Sequence, residues 1–415
     1  MLQSRALAPL PPGVEDREGV FVDHRSGSVS FLDPRLPPGA HSLSVRLKRR
    51  APAYVLDAHA KQQQIRGRLL SEAAAGGEDF VLDVRRDRLV EDSRVLFEQP
   101  AEIMTRPLKV RFLNEPGKDY GGMSAEWFLL LSRELGVLFR QTAAYELVWD
   151  EASCSEELCE MVGKLLGLAL LHARLVELPL VLPYYKFLLG QAVGLADLRA
   201  VDEEHHRSLC WLLDNDVTGL GLAFATGDVP LRPEEPAAEV TESNKREYVE
   251  AVARYVLVER HRELLEALAR GFAAAVPAAA VRAAGLEAAE LGPLLNGSAQ
   301  LDVADWRRHT VYLPEGVDER HPAVAALWAA VEDMSEEQRR RLLRFATGTE
   351  RVPCGGFRNL QASRFCVAIM TGRREGLPTA HTCFNRLELL DAPEQLPRMR
   401  ELLLKAIECN SFDIE

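Results

Sequence analysis

Positive charge is in deficit along this chain of 415 residues: 50 Lys and Arg face 62 Asp and Glu, a formal net charge of -12. A protein that grips nucleic acid needs a basic face, so the composition argues against a general nucleic-acid binder. An acidic surface suits a basic protein partner instead. Cysteine is sparse as well, with seven residues at positions 154, 159, 210, 354, 366, 383 and 409, unevenly spaced and odd in number. That pattern excludes a disulfide framework and suits a reducing compartment, so a cytoplasmic location is expected. Cys154 and Cys159 have no second pair at zinc-ligand spacing, and no metal site is expected. No uninterrupted apolar run is long enough to span a bilayer, so no transmembrane segment is expected. The opening residues Met1 to Gly13 lack an apolar leader core, so no signal peptide is expected. The glycine-rich stretch Gly117-Lys118-Asp119-Tyr120-Gly121-Gly122 has neither P-loop nor dinucleotide spacing. It reads as a tight turn, and no cofactor is implied.

What is present is ordinary globular material: 47% hydrophobic and 27% charged residues, enough to bury cores. Residues 9–36 hold two alternating runs, Gly19–His24 and Ser28–Leu36, separated by Arg25-Ser26-Gly27, and read as a hairpin. Residues 37–51 are a linker ending in the basic run Arg46-Leu47-Lys48-Arg49-Arg50. From there the chain reads as mainly helical with short strands. Strands are expected at Phe80–Val84 and Leu108–Phe112, with a helix from Ser124 to Leu135. A long apolar helix is expected from Glu156 to Val176, and the longest helix from Ser243 to Ala275. Tyr312 to Gly316 forms a short break, read as a hinge in which Pro314 cannot continue a helix. Beyond it lies a smaller α/β unit. Ser335 with Gln338 makes a capping box for a helix that Gly348 ends. A strand is expected over Arg364–Ile369, another over Phe384–Leu389, and a last helix from Pro393 to Cys409.

Chemistry concentrates in one stretch of that smaller unit: Leu377-Pro378-Thr379-Ala380-His381-Thr382-Cys383-Phe384-Asn385-Arg386-Leu387. A thiol in a loop at a strand end can be presented to a large partner. His381, two residues upstream, can favour the thiolate over the thiol. The plain alternative is a buried small hydrophobe, as free cysteines commonly are. Cys354, Cys366 and Cys409 have no such surroundings and read as packing residues.

The segment around Cys383 resembles the catalytic-cysteine segment of HECT-type ubiquitin ligases, in which a cysteine accepts ubiquitin as a thioester and passes it to lysine. The resemblance extends over roughly residues 52–415, through the turn before Ser124, the run Leu209–Asp216 and the segment Asp302–Thr310. It is closest to the branch with WW domains before the catalytic region, the HECW-like ligases. It implies an α+β fold: a bilobal HECT domain with a large, mainly helical N-lobe (52–311), a hinge (312–316) and a small α/β C-lobe (317–415). A degenerate WW-like β segment (9–36) and the linker (37–51) precede it. The implied partners are ubiquitin, an E2 ubiquitin-conjugating enzyme and protein substrates. Proline-rich peptides are expected to bind the WW-like segment weakly, because Val14 and Phe31 stand where tryptophans are usual. The resemblance gives Cys383 the role of thioester nucleophile and places His381 and Thr382 to position or polarise the thioester. Bonding of these two side chains to their own loop backbone is an equal alternative. Glu388 stands at the family's acidic position, where a carboxylate helps the attacking amine. Phe412, four residues from the end, holds the place of a phenylalanine that supports lysine attack. Ala125 stands where the family has arginine, and Gly136 to Phe139 replace a tyrosine-bearing ubiquitin-binding loop. These departures motivate a second reading: a catalytically weak relative acting as an interaction or adaptor protein.

Overall fold

Three short strands come first in the chain: β1 (Val14–Arg17), β2 (Val20–Asp23) and β3 (Ser28–Ser30) pair antiparallel in the order β1-β2-β3. The computed structural model describes these three backbone strands and residues 57–74, 78–115, 122–142, 145–150, 152–298, 300–360, 363–370, 376–391 and 398–409. Within them, the side chains of 71–74, 383 and 409 are outside the description, as are those of β1 to β3. The glycine turn before Gly122 and Phe412 also lie outside the described residues.

The larger of two main apolar cores is helical. α1 (Ala58–Ala74) leads to β4 (Phe80–Val84), which pairs parallel with β5 (Leu108–Phe112). Alternation in both strands sends Leu82, Val84, Val110 and Phe112 inward, as a sheet with one covered face requires. α2 (Gly122–Leu135) buries Trp127, Phe128, Leu131 and Leu135, with Trp127 Nε1 donating to Ser93 Oγ at 3.0 Å. A hairpin follows, β6 (Phe139–Gln141) with β7 (Leu147–Trp149).

The central helix α3 (Glu156–His172) begins where the Ser155 side chain accepts from the Leu158 amide, with Glu156 and Glu157 in the first turn favoured by the helix dipole. It stops at His172, four residues before its expected end. Ala173 takes a left-handed conformation at φ 51, and Arg174 then donates back to the Ala169 carbonyl at 2.8 Å. The expected long helix after Ser243 is interrupted. α4 (Lys245–Leu257) is separated from α5 (Arg262–Ala275) by a 3-10 turn at Glu259–His261, because buried Val258 leaves helical geometry. α3 and α5 cross at backbone contact: a Cβ at Gly163 would run into the Leu268 carbonyl, and one at Gly271 into the Glu160 carbonyl. Among the described residues, no single helix is long and apolar enough to cross a membrane.

The second main core is built from the chain end. α6 (Val303–Arg308) carries Trp306 into it, stacked on Phe357 at 4.9 Å and edge-on to Phe365 at 5.1 Å. β8 (Val311–Leu313) lies at one edge of a four-stranded sheet. Helices α7 (Pro322–Asp333) and α8 (Glu336–Thr347) follow. The capping box of α8 forms as expected, with Gln338 N donating to Ser335 Oγ at 3.2 Å and Ser335 N to Gln338 Oε1 at 3.1 Å. Gly348 at φ 80 ends the helix. The sheet continues with β9 (Cys366–Met370), β10 (Thr379–His381) and β11 (Arg386–Leu390), in the spatial order β8-β9-β11-β10. β8, β9 and β11 are parallel and β10 is antiparallel to β11. α9 (Met399–Cys409) packs over α7 and α8.

The expected hinge, Tyr312 to Gly316, opens on a paired strand, with Val311 opposite Cys366 and Leu313 opposite Ala368. Leu301, Val303, Trp306 and Tyr312 all belong to the second core, so that core starts well before residue 317. The first core ends at Leu295. Between them, buried Asn296 accepts from the Leu178 amide at 3.0 Å, and Ser298 pairs both ways with Val352 at 2.7 and 2.9 Å.

Candidate functional site

The stretch around Cys383 is held between two strands. Exposed Gly376 at φ 121 turns the chain, Thr379–His381 forms β10, Thr382–Phe384 forms one 3-10 turn, and β11 carries the chain back. The turn closes through Asn385, whose backbone sits in the left-handed region at φ 49 and whose amide donates to the Thr382 carbonyl at 3.2 Å. Asparagine tolerates that conformation better than most residues with a Cβ. Asn385 is buried, and its Nδ2 donates to the Ser363 carbonyl at 2.6 Å. Ser363 returns a bond, its Oγ donating to the Phe384 carbonyl at 2.6 Å. The Asn385 carbonyl accepts from the Cys366 amide at 2.9 Å. Cys383 therefore sits at the middle of a turn whose backbone is tied from behind by Ser363, Asn385 and β9. Its side chain is outside the description.

The two residues ahead of the cysteine differ in their surroundings. His381 Nε2 lies 3.2 Å from Glu388 Oε1, across the β10–β11 pair. Thr379 Oγ1 donates to Glu388 Oε2 at 3.0 Å, and Arg386 stands 3.7 Å from Oε1. The Glu388 side chain is only 9% exposed and engages three neighbours. It is thus turned into the sheet and held there by His381, Thr379 and Arg386. Thr382 is exposed. Phe384 is 49% exposed, with the Arg386 guanidinium 5.5 Å from its ring centre. Phe412 cannot be related to this geometry, because it lies outside the described residues.

Cys159, Cys354 and Cys366 behave as packing groups, and the side chain of Cys409 lies outside the description. Burial pushes the Cys366 thiol up, against a smaller opposing effect of Arg386, and burial also raises the Cys354 thiol. Cys159 is fully buried and its thiol is strongly raised for the same reason. A thiol held protonated is a poor nucleophile.

The 3-10 turn leans on α2 of the first core and α8 of the second. There it borders a crevice of about 980 Å³ between the cores. Thr382 and Asn385 line it, with Ala125, Glu126 and Leu129 of α2 on one side and α8 on the other. Glu388 is not among the lining residues. Sequence reasoning missed Ser363, Thr379 and Asn385. Only Asn385 carried a local signal, as a residue suited to a left-handed turn directly before a strand.

The HECT-domain (ubiquitin-transferase) family matches residues 128–415, which include the 3-10 turn and both strands beside it. The E3 ubiquitin-protein ligase RSP5 of Chaetomium thermophilum is 35% identical over 97% of this chain and 51% of its own length. The E3 ubiquitin-protein ligase pub1 of Schizosaccharomyces pombe is 34% identical over 92% of this chain and 52% of its own length. The chain thus spans about half the length of the curated relatives it matches. With most of its residues matched by one family, in a match that includes Cys383, this chain belongs to the HECT-domain (ubiquitin-transferase) family.

Proposed function

We propose that the chain is an E3 ubiquitin-protein ligase that carries ubiquitin on Cys383 and hands it to a lysine of a protein substrate. The single observation that carries the reading is the position of Cys383 in a short turn between two strands, tied from behind through Asn385, with its neighbours Thr382 and Asn385 lining the crevice. In the first step the Cys383 thiolate attacks the thioester on an E2 ubiquitin-conjugating enzyme. A new S–C bond forms to the ubiquitin carbonyl, and the E2 thiolate leaves. In the second, the neutral amine of a lysine attacks that carbonyl, the C–N bond forms, the C–S bond breaks, and the amine proton ends on the Cys383 sulfur. Thr382 borders the reacting carbonyl. His381 and Glu388 act as positioning residues: their contact across β10 and β11 sets the entry to the turn. Phe412 supports the lysine step.

The domain reading proposed with this function is bilobal, with an N-lobe around the first core and a C-lobe around the second. The first core ends at Leu295 and the second begins at Leu301, which supports a lobe boundary between those two residues. The antiparallel strands β1 to β3 support a WW-like segment that binds proline-rich peptides weakly.

The test is a charging assay with activating enzyme, several conjugating enzymes and ubiquitin. The wild type should form an adduct that thiol reductant removes, Cys383→Ala should form none, and Cys383→Ser should form a slower adduct that resists reductant. If no conjugating enzyme loads the wild type, the reading fails and the adaptor alternative replaces it.

A further inference from the structure

The crevice beside the 3-10 turn runs against the charge of the molecule. The whole chain carries a formal net charge of -12, yet six arginines line this space, against four carboxylates, those of Glu126, Glu337, Glu350 and Glu408. Four of the arginines are engaged by carboxylates. Arg86 pairs with Glu115 and Glu126, Arg133 with Glu177, Arg341 with Glu337 at 2.6 Å, and Arg344 with Glu350 at 3.3 Å. The remaining two are not. Arg340 pairs with no carboxylate among the described residues, and Arg351 donates to the Asn296 carbonyl at 3.4 Å. Both are half-buried, at the wall that also holds Thr382 and Asn385.

Their placement follows from local structure. Arg340, Arg341 and Arg344 project from α8, whose opposite face buries Leu342, Leu343 and Ala346. Gly348 then ends the helix, and Arg351 follows on the segment that pairs with Ser298. The 3-10 turn packs against this same helix. Any polypeptide that brings a lysine to Cys383 through the crevice must therefore run past two guanidinium groups that no described carboxylate engages. Partly desolvated guanidinium groups favour carboxylates, which they can hold by paired hydrogen bonds.

We propose that this crevice selects acceptor lysines set in an acidic stretch of the substrate, with Arg340 and Arg351 as the residues that read the flanking carboxylates. The proposal rests on Cys383 being the ubiquitin carrier and adds a substrate class to it. The transfer chemistry is unchanged: the lysine nitrogen replaces the Cys383 sulfur on the ubiquitin carbonyl, and the carboxylates only hold the peptide. A lysine among basic residues meets like charge on the same path and is disfavoured.

Two measurements on the full chain test this. The first is fluorescence anisotropy of a labelled peptide with one lysine among aspartates and glutamates, compared with the same peptide carrying asparagine and glutamine instead. The acidic peptide should bind about fivefold more tightly, the scale expected for partly exposed ion pairs. That preference should shrink as salt is raised, and Arg340→Glu with Arg351→Glu should abolish or invert it. The second is single-turnover discharge of ubiquitin from pre-charged Cys383 onto the two peptides, where the ratio of rates should follow the ratio of affinities. Equal binding of both peptides by the wild type would overturn the proposal. So would arginine variants that weaken acidic and neutral peptides alike, since the arginines would then serve the chain's own fold or its acidic end. Acidic preference in binding, with no charging of Cys383 by any conjugating enzyme, would leave the arginine crevice standing and remove the ligase reading instead.

Discussion

Asn385 offers the sharpest test of how the turn presents its cysteine. Two features of the residue can be separated. Its backbone sits at φ 49, where alanine costs roughly 1 kcal/mol and glycine costs nothing steric. Its side chain makes a buried hydrogen bond to the Ser363 carbonyl at 2.6 Å, the loss of which costs about 1 kcal/mol. Asn385→Ala loses both, about 2 kcal/mol, whereas Asn385→Gly loses only the hydrogen bond and some chain entropy. Neither exceeds the usual stability of a domain, so both variants should fold. If the lost energy opens the turn before reaction, the competent population falls about thirtyfold in Asn385→Ala and about fivefold in Asn385→Gly. Single-turnover charging of Cys383 would read those ratios, and the rate of its alkylation by iodoacetamide would report on the thiol without any partner protein. Thermal unfolding of both variants checks the fold. Charging in Asn385→Ala at or above the rate in Asn385→Gly would show that the left-handed backbone does not matter to presentation. Unchanged charging in both would refute the clamp altogether.

Three further outcomes are expected. Gly163→Ala places a methyl group against the Leu268 carbonyl where α3 and α5 touch, and should destabilise by about 3 kcal/mol or prevent folding, read by urea denaturation. Burial, reinforced by Arg174 and Arg66, holds the His172 pKa at about 3, so the folded state keeps it neutral while the unfolded state protonates it near 6.5. That contribution is present above about pH 6.5 and is lost as pH falls towards 3, at up to about 1.4 kcal/mol per pH unit; His172→Gln should flatten the fall in unfolding midpoint between pH 7 and pH 5. Phe412→Ala should still charge Cys383 yet discharge onto lysine slowly, and equal loss of both steps would remove its assigned role.

The parts of this protein that were legible in its sequence are those set by neighbours along the chain. The Ser335–Gln338 capping box and the Gly348 stop depend on residues a single turn apart, and both formed where expected. The strands Phe80–Val84 and Leu108–Phe112 announced themselves by alternation. The family likeness was legible in the short run around Cys383, because chemistry there fixes many consecutive residues. Tertiary structure decided the rest. Pro314 and Gly316 made Tyr312–Gly316 look like a break, but Val311–Leu313 finds its strand partner in Cys366–Ala368, which local pattern cannot reveal. Glu388 reads in sequence as one acidic residue of a strand, and only the register of β10 and β11 sets it beside Thr379 and His381. Ser363 reads as loop until the fold brings it behind Asn385. The arginines of α8 look like a solvated helix face until α2 closes the other side of the crevice. Hydrogen bonds and hydrophobic periodicity within one element act over a few residues, so sequence records them directly. Desolvation and charge balance depend on every group that packs nearby, and only the folded chain brings those groups together.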